Sequence, residues 1–261
     1  MSIPRVVKVG NLEFGKGIPK ICVPIVGTTK EEIIEEAKSC VKEQPDLVEW
    51  RCDFYHSVND YAAVQETMAA LSEILGEIPM LFTFRTEKEG GNQPILLEDY
   101  EKLNTFVSVL DYVQMIDVEY RMNPERMTSL IETIRSNGKV VIASHHRFDT
   151  TPPSSDMMEI LEEMEQAGAD LLKLAVMPHR DADVKNLMLT INEATCGRVK
   201  QPISAIAMGE LGAKSRVSGE LFGSCLTFGC VGKASAPGQL PIGDLRKEMQ
   251  EVHMLVENIS F

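Results

Sequence analysis

No stretch of this sequence stays apolar for the roughly 20 residues that a bilayer crossing takes. No two of its six cysteines form a C-x-x-C pair, so neither a structural zinc site nor a redox dithiol is expected. Basic residues are outnumbered, 26 against 39 acidic, for a net charge of -13. Nucleic acids and anionic membranes call for basic patches, so neither is an expected partner. The same field would repel an anionic substrate, which would need arginines placed locally. No G-x-G-x-x-G fingerprint follows the first apolar run, which argues against a dinucleotide-binding open sheet. Low-complexity and linker segments are absent. The opening Met-Ser-Ile-Pro-Arg-Val-Val-Lys has no signal-like apolar run. The expectation is a cytoplasmic protein with reduced thiols, 44% hydrophobic and 25% charged, as globular domains are.

What is present centres on Ala169–Val176, ADLLKLAV, a short apolar run between Gly168 and Met177-Pro178. It reads as a strand buried on both faces. Lys173 sits in its middle. A buried ammonium is costly unless it is paired or loses its proton, and a neutral lysine amine attacks ketones. The plain alternative is a lysine snorkelling from a strand end into water.

Around this run the chain has a rhythm. Arg5 to Phe14, with Gly10-Asn11, predicts a small β-hairpin within residues 1–18, outside the repeat. Strands are predicted at 21–26, 47–52, 80–85, 112–118, 140–144, 169–176, 203–207 and 224–228. Helices follow each: one capped by Thr28 or Thr29, then 59–75, 97–110, 124–136, 156–166, 181–194, a short one at 212–217 and an amphipathic one at 243–256. Eight such α/β units match a (β/α)₈ TIM barrel filling residues 1–261 as one domain, with an open doubly wound sheet as the alternative.

In a barrel of this kind the active site lies at the C-terminal ends of the strands. Falling there are Glu49 and Arg51, Arg85 with Glu89 just beyond, His145-His146, Lys173, Met208 with Arg216 beyond, and the loop Lys233–Gln239. Each has a plain reading. Glu49 and Arg51 can be a structural ion pair, Arg85 and Arg216 solvated surface residues, and Met208 core filler. Either histidine can be a satisfied strand end, and Ser235–Gln239 a Pro-Gly turn. Their coincidence at one end carries the weight. His146 and Lys173 fall on consecutive strands, roughly 5 Å apart across a ladder. That suits a histidine moving protons next to a carbon joined to the lysine as an imine. Glu89 can orient the histidine, and arginines can grip a substrate carboxylate.

The segments Glu49-Trp-Arg51, Phe84–Gly91 (FRTEKEGG), Ser144–Phe148 (SHHRF), Lys173–Pro178 (KLAVMP), Met208–Arg216 (MGELGAKSR) and Ser235–Gln239 (SAPGQ) resemble type I 3-dehydroquinate dehydratase. The resemblance runs in order over essentially the whole chain. It implies a metal-free, cofactor-free lyase of the shikimate pathway, acting on 3-dehydroquinate, and a homodimer. It also implies that Lys173 forms the imine, that His146 takes the α-proton and returns one to the departing hydroxyl, and that Glu89 positions His146. Arg216, Ser235 and Gln239 would hold the carboxylate and neighbouring hydroxyls, Glu49, Arg51 and Arg85 would line the pocket and bind hydroxyls, and Met208 and Phe228 would pack on the ring. The Ser235–Gln239 loop would be a lid. Two departures from the family pattern stand out. Arg147 follows the histidine where an acid or amide is frequent, and a cation there would lower the imidazole pKa. Pro24 stands in the first strand where serine is common.

Other classes remain open at this point. One is a lysine-imine aldolase or transaldolase of a sugar phosphate, with Gly212 and Lys214 near a phosphate. Another is a non-catalytic barrel binding an anionic metabolite. Should His146 not be the base, His145 is the next candidate.

Overall fold

The computed structural model describes residues 5–232 and 234–259. Among them, β1 (Val7–Val9) and β2 (Leu12–Phe14) form the antiparallel hairpin. The main sheet comprises β3 (Lys20–Ile25), β4 (Leu47–Arg51), β5 (Met80–Thr83), β6 (Met115–Glu119), β7 (Val140–Arg147), β8 (Leu171–Val176), β9 (Ile203–Ala207) and β10 (Leu226–Phe228). All pair parallel in the order β10-β3-β4-β5-β6-β7-β8-β9. The two end strands approach each other where Cys225 N–H donates to the Ile203 carbonyl at 2.7 Å. The eight strands thereby make the nearly closed barrel that the alternation of elements predicts.

Helices α1 (Lys30–Lys42), α2 (Tyr61–Leu75), α3 (Leu97–Ser108), α4 (Pro124–Ser136), α5 (Ser154–Gln166), α6 (Asp181–Glu193), α7 (Ala213–Val217), α8 (Gly219–Phe222) and α9 (Ile242–Ile259) alternate with the strands. Local signals fix their starts. Thr29 is the α1 cap, accepting from Glu32 N–H, while Thr28 N–H and hydroxyl donate to the Glu32 carboxylate, so both threonines serve the same turn. Asp60 caps α2, and Pro124 opens α4 behind Asn123. The sequence reading missed α8, whose four residues are too few to show a period. It also placed the β6 strand three residues early: Tyr112 to Gln114 lie before the strand, which runs on to Glu119. β7 extends past Ser144 to carry both histidines.

Side chains alternate along each strand, and the two sets pack into two cores. The outward set meets the helices: Val48 and Trp50 from β4, Leu172, Leu174 and Val176 from β8. The inward set fills the barrel in layers. Cys22, Leu47, Leu81, Met115, Ile142, Leu171 and Leu226 form its lower layer, and the hairpin side chains Val7, Val9 and Phe14 cluster with them. The hairpin therefore plugs the barrel floor. Two positions further along the strands the inward residues are Glu49, Thr83, Asp117, Ser144 and Lys173, and two further again come Arg51, Glu119, His146 and Ala175. The floor is apolar and the upper barrel is charged.

Pro24 fits this frame. Ile21 bonds toward β4 and Cys22 toward β10, so alternation turns Pro24 toward the β10 side. The β10 ladder ends at Cys22↔Phe228, so no partner is lost there.

No helix among the described residues is long and apolar enough to cross a membrane. All six cysteines are free thiols, five of them buried and Cys196 exposed.

Phe14 is fully buried in the floor. Phe14→Ala should cost about 3–5 kcal/mol of stability, read as a lower denaturant midpoint. Because the floor lies below the charged layers, kcat should stay within about twofold. An unchanged midpoint would mean the hairpin does not plug the barrel.

Candidate active site

A cleft of about 630 Å³, counted with its open mouth, lies above the charged layers. Glu49, Arg51, Arg85, Glu89, His146, Lys173, Met208, Arg216, Phe228, Ser235 and Gln239 all line it. Every residue to which the family resemblance assigns a role thus reaches one space. His145 does not line it.

Lys173 is 5% exposed, which rules out the snorkelling reading. It lies in the middle of β8, paired in register with Ser144 and Ser204, and not at the strand end. Its Nζ stands 3.7 Å from Glu49 Oε1, 3.7 Å from Asp117 Oδ2 and 4.3 Å from the centre of the Phe228 ring. Two buried carboxylates thus flank the amine. The direct ladder partner of His146 is Ala175, two residues beyond Lys173. The histidine therefore sits one inward layer above the lysine and not beside it, as the consecutive-strand reading had it.

Glu89 lies in a 3-10 turn (Glu87–Glu89) just past β5, and its carboxylate binds two histidines. Its Oε2 accepts from His146 N–H at 2.9 Å and His146 Nδ1 at 3.0 Å, and its Oε1 accepts from His145 Nδ1 at 2.8 Å. Burial pushes the Glu89 carboxyl up. The two histidine hydrogen bonds and the Arg85 charge outweigh this and hold it below the usual carboxylate range. As an ionised acceptor it fixes the proton of His146 on Nδ1 and leaves Nε2 with a free lone pair. Burial, then the charge of Arg85 and that of Lys173, bring the His146 imidazole down to about 3 against the upward pull of Glu89. Arg147 is not among the causes. Its guanidinium turns away to Asp149, at 3.0 Å through both Nε and Nη2, which removes the concern its position raised.

Arg85 is buried, not solvated, and is held mainly by ion pairs. Nη2 pairs with Asp117 at 2.8 Å, and Nη1 reaches Glu119 at 3.0 Å, Ser144 Oγ at 2.9 Å and Glu89 at 3.6 Å. Burial would lower its pKa, but the three carboxylates raise it above the ordinary arginine range. Glu119 accepts in addition from Thr86 N–H and Thr86 Oγ, each at 2.7 Å. Burial, with Glu89 adding to it and Arg85 opposing, lifts the Glu119 carboxyl to about 7.

Arg51 and Glu49 are not each other's partners. Arg51 makes a two-pronged pair with Asp53 at 2.7 and 2.8 Å, and Glu49 accepts from Thr83 Oγ at 2.9 Å. Asp53 also takes Arg85 N–H at 3.2 Å and Asn92 N–H at 3.0 Å, tying Arg51 to the loop that carries Glu89. That loop is tight. A Cβ on Gly91 would sit 1.8 Å from the Arg85 carbonyl, and one on Gly90, at φ 81°, would strike the Phe148 ring.

Arg216, on α7, is 2% exposed, so the solvated-surface reading fails here too. Among the described residues it has no carboxylate partner. Nη2 donates to the Pro237 carbonyl at 2.9 Å, Nη1 lies 3.4 Å from the Phe228 carbonyl, and Nε is unpartnered. Burial draws its guanidinium down to about 10. A buried cation facing a cleft without a counter-ion is a ready receptor for an anion. Ser235 and Gln239 bond to each other across the loop, Gln239 Nε2 donating to Ser235 Oγ at 3.0 Å and Ser235 N–H to Gln239 Oε1 at 2.8 Å. Lys233, at the head of that loop, lies outside the described residues.

The sequence reading missed Asp53, Asp117, Glu119 and Ser144. Asp117 is wholly buried between Arg85, Lys173 and Ser144, whose Oγ donates to it at 2.7 Å. Its signal was available. Met115-Ile-Asp-Val-Glu119 repeats the spacing of Leu47-Val-Glu-Trp-Arg51, an apolar residue followed by polar ones at two-residue steps.

A 3-dehydroquinate dehydratase of Clostridium botulinum (strain Eklund 17B) is 42% identical over 255 residues, which is 98% of this chain and 99% of that one. The crystal structure of 3-dehydroquinate dehydratase from Geobacillus kaustophilus superposes with a TM-score of 0.93 at 35% identity, covering 97% of this chain and 99% of that chain. The structure of the Clostridium difficile type I enzyme with covalent modified comenic acid does so at 0.93 and 38% identity, over 97% of this chain and 100% of that chain. The family model of type I 3-dehydroquinase matches residues 21–256, and with these relatives it shows that the chain belongs to the type I 3-dehydroquinase family.

Proposed function

We propose that the protein dehydrates 3-dehydroquinate to 3-dehydroshikimate through an imine on Lys173, with His146 moving the protons. The observation that carries this reading is the meeting of a buried lysine, a histidine with a free Nε2 and an unpaired buried arginine in one cleft.

The steps follow from these positions. The Lys173 side chain gives up one proton and adds as the amine to the substrate ketone; that proton returns to the carbinolamine hydroxyl, which leaves as water, so that an iminium remains. The cation stays between Glu49 and Asp117, which already flank Nζ. His146 Nε2 removes the α-proton, and the electron pair moves into the iminium to give an enamine. The now protonated His146 donates to the hydroxyl leaving from the same face, so that water departs in a syn elimination and the conjugated double bond forms. Hydrolysis of the iminium returns Lys173. Glu89 stabilises the imidazolium that exists between the two proton transfers. Its help matters because burial and two cations otherwise oppose that charge.

Arg216 receives the substrate carboxylate, with Ser235 and Gln239 on neighbouring hydroxyls. Arg51 binds a hydroxyl from the wall, and Met208 and Phe228 pack on the ring. Arg85 lines the cleft, but its bonds to Asp117, Glu119 and Ser144 give it the further task of holding the carboxylates in place. A sugar-phosphate substrate has less support, since the backbone amides it would use are engaged: Gly209 N–H with Pro237, Gly212 N–H with Gly209 and Ser235 N–H with Gln239. Residues 1–261 are read as a single barrel domain, acting as a cytoplasmic homodimer as the family resemblance suggests.

Borohydride added with 3-dehydroquinate should trap a substrate adduct on Lys173, found by mass spectrometry. Its absence would end the imine reading. His146→Ala should still form the adduct but lose at least about 10³-fold in kcat, and comparable turnover in that variant would remove His146 from its role. Arg216→Ala should raise KM about 100-fold, the loss of one charge-assisted pair worth roughly 2–3 kcal/mol. An unchanged KM would place the carboxylate elsewhere.

A further inference from the structure

His145 is the one histidine at the rim of the cleft that the reaction above leaves unused. Neighbours on a strand point to opposite faces. His146 turns inward with Ile142 and Ser144, and His145 turns outward, in register with Leu174, which belongs to the outer core. His145 is nonetheless well covered, its side chain 13% exposed, and its Nδ1 lies 2.8 Å from Glu89 Oε1. Glu89 thus reaches over the edge of β7 and takes one histidine with each oxygen.

Those two contacts are not equivalent for catalysis. Glu89 Oε2 already holds His146 N–H and His146 Nδ1, and the same oxygen lies 3.6 Å from Arg85 Nη1. A carboxylate swings about its terminal bond at little cost unless both oxygens are held. Freed at Oε1, Glu89 would turn toward Arg85, which offers a stronger, charged donor. Glu89 would then leave His146 Nδ1 loosely held, and the orientation of the base would be lost.

We infer that His145 is a positioning residue, whose Nδ1–H anchors Glu89 Oε1 so that Oε2 stays on His146 and Nε2 of His146 stays aimed into the cleft. The inference rests on His146 being the base, as read above. It also removes His145 as a reserve base, since its ring does not line the cleft.

The test compares His145→Phe and His145→Asn in the full-length chain, each alone and combined with Glu89→Ala. His145→Phe should lower kcat about tenfold while KM stays within about twofold, since no substrate contact is lost. His145→Asn, whose amide can donate to the same oxygen, should recover most of that loss. In the Glu89→Ala background His145→Phe should have no further effect, because nothing remains to be anchored. If the Phe variant does not fold, by circular dichroism, His145→Ala replaces it, removing the donor with less bulk. Full kcat in the donor-less variant, no recovery with Asn, or an undiminished loss in Glu89→Ala would each overturn the inference. A His146→Ala control separates the two levels. If it turns over normally the base assignment itself is wrong, whereas a stalled His146→Ala beside a fully active His145→Phe refutes the anchoring alone.

Discussion

The structure depends on keeping charges out of water in the upper barrel without leaving any of them alone. Arg85 and Lys173 lie among Glu49, Glu89, Asp117 and Glu119, all of them buried. Removing one partner from such a set strands its neighbour, at about 3–5 kcal/mol. The set therefore behaves as a unit. Arg85 is its hub, reaching three carboxylates on two segments of the chain, Glu89 in the turn after β5 and Asp117 and Glu119 on β6. That compensation stops at Arg216, which faces the cleft with no carboxylate partner among the described residues.

The same arrangement sets the chemistry. Lys173 has carboxylates close enough to balance an iminium, but at 3.7 Å they leave room for the amine to bond to a carbon. His146 is deprived of charge by burial and by cations, then given a carboxylate to hold its ring. Its neutral form is thereby ready to accept a proton, and the transient imidazolium has a partner. The apolar floor below, closed by the hairpin, keeps water from reaching the charged layers from underneath. Low dielectric strengthens every interaction above it.

Much of this was legible in the chain. The strand–helix alternation gave the barrel, and the run around Lys173 marked a buried amine. The two-residue spacing in Glu49-x-Arg51 put both side chains in the cleft. The same spacing in Met115-x-Asp117-x-Glu119 carried equal information and was passed over, because Asp117 and Glu119 show no chemistry of their own. Their role is to serve Arg85 and Lys173, which come from other strands. The partnership of Arg51 with Asp53 was hidden for a different reason. A strand pattern places Glu49 nearer in type and face, but the chain turns into a 3-10 helix after Arg51 and brings Asp53 back under the guanidinium.

The sequence by itself determined periodicity: which residues alternate inward, which runs are strands, and which residue types gather at one end of the barrel. These are local properties, set by side-chain spacing along a strand and by capping at helix starts. Only the tertiary structure decided the partners and the heights. The stagger between β7 and β8 sets His146 one layer above Lys173, and the loop after β5 brings Glu89 across to two histidines. The placing of α7 over the cleft leaves Arg216 without a carboxylate partner among the described residues. Such choices depend on ladder register and on distances between residues far apart in the chain, and no local spacing encodes either.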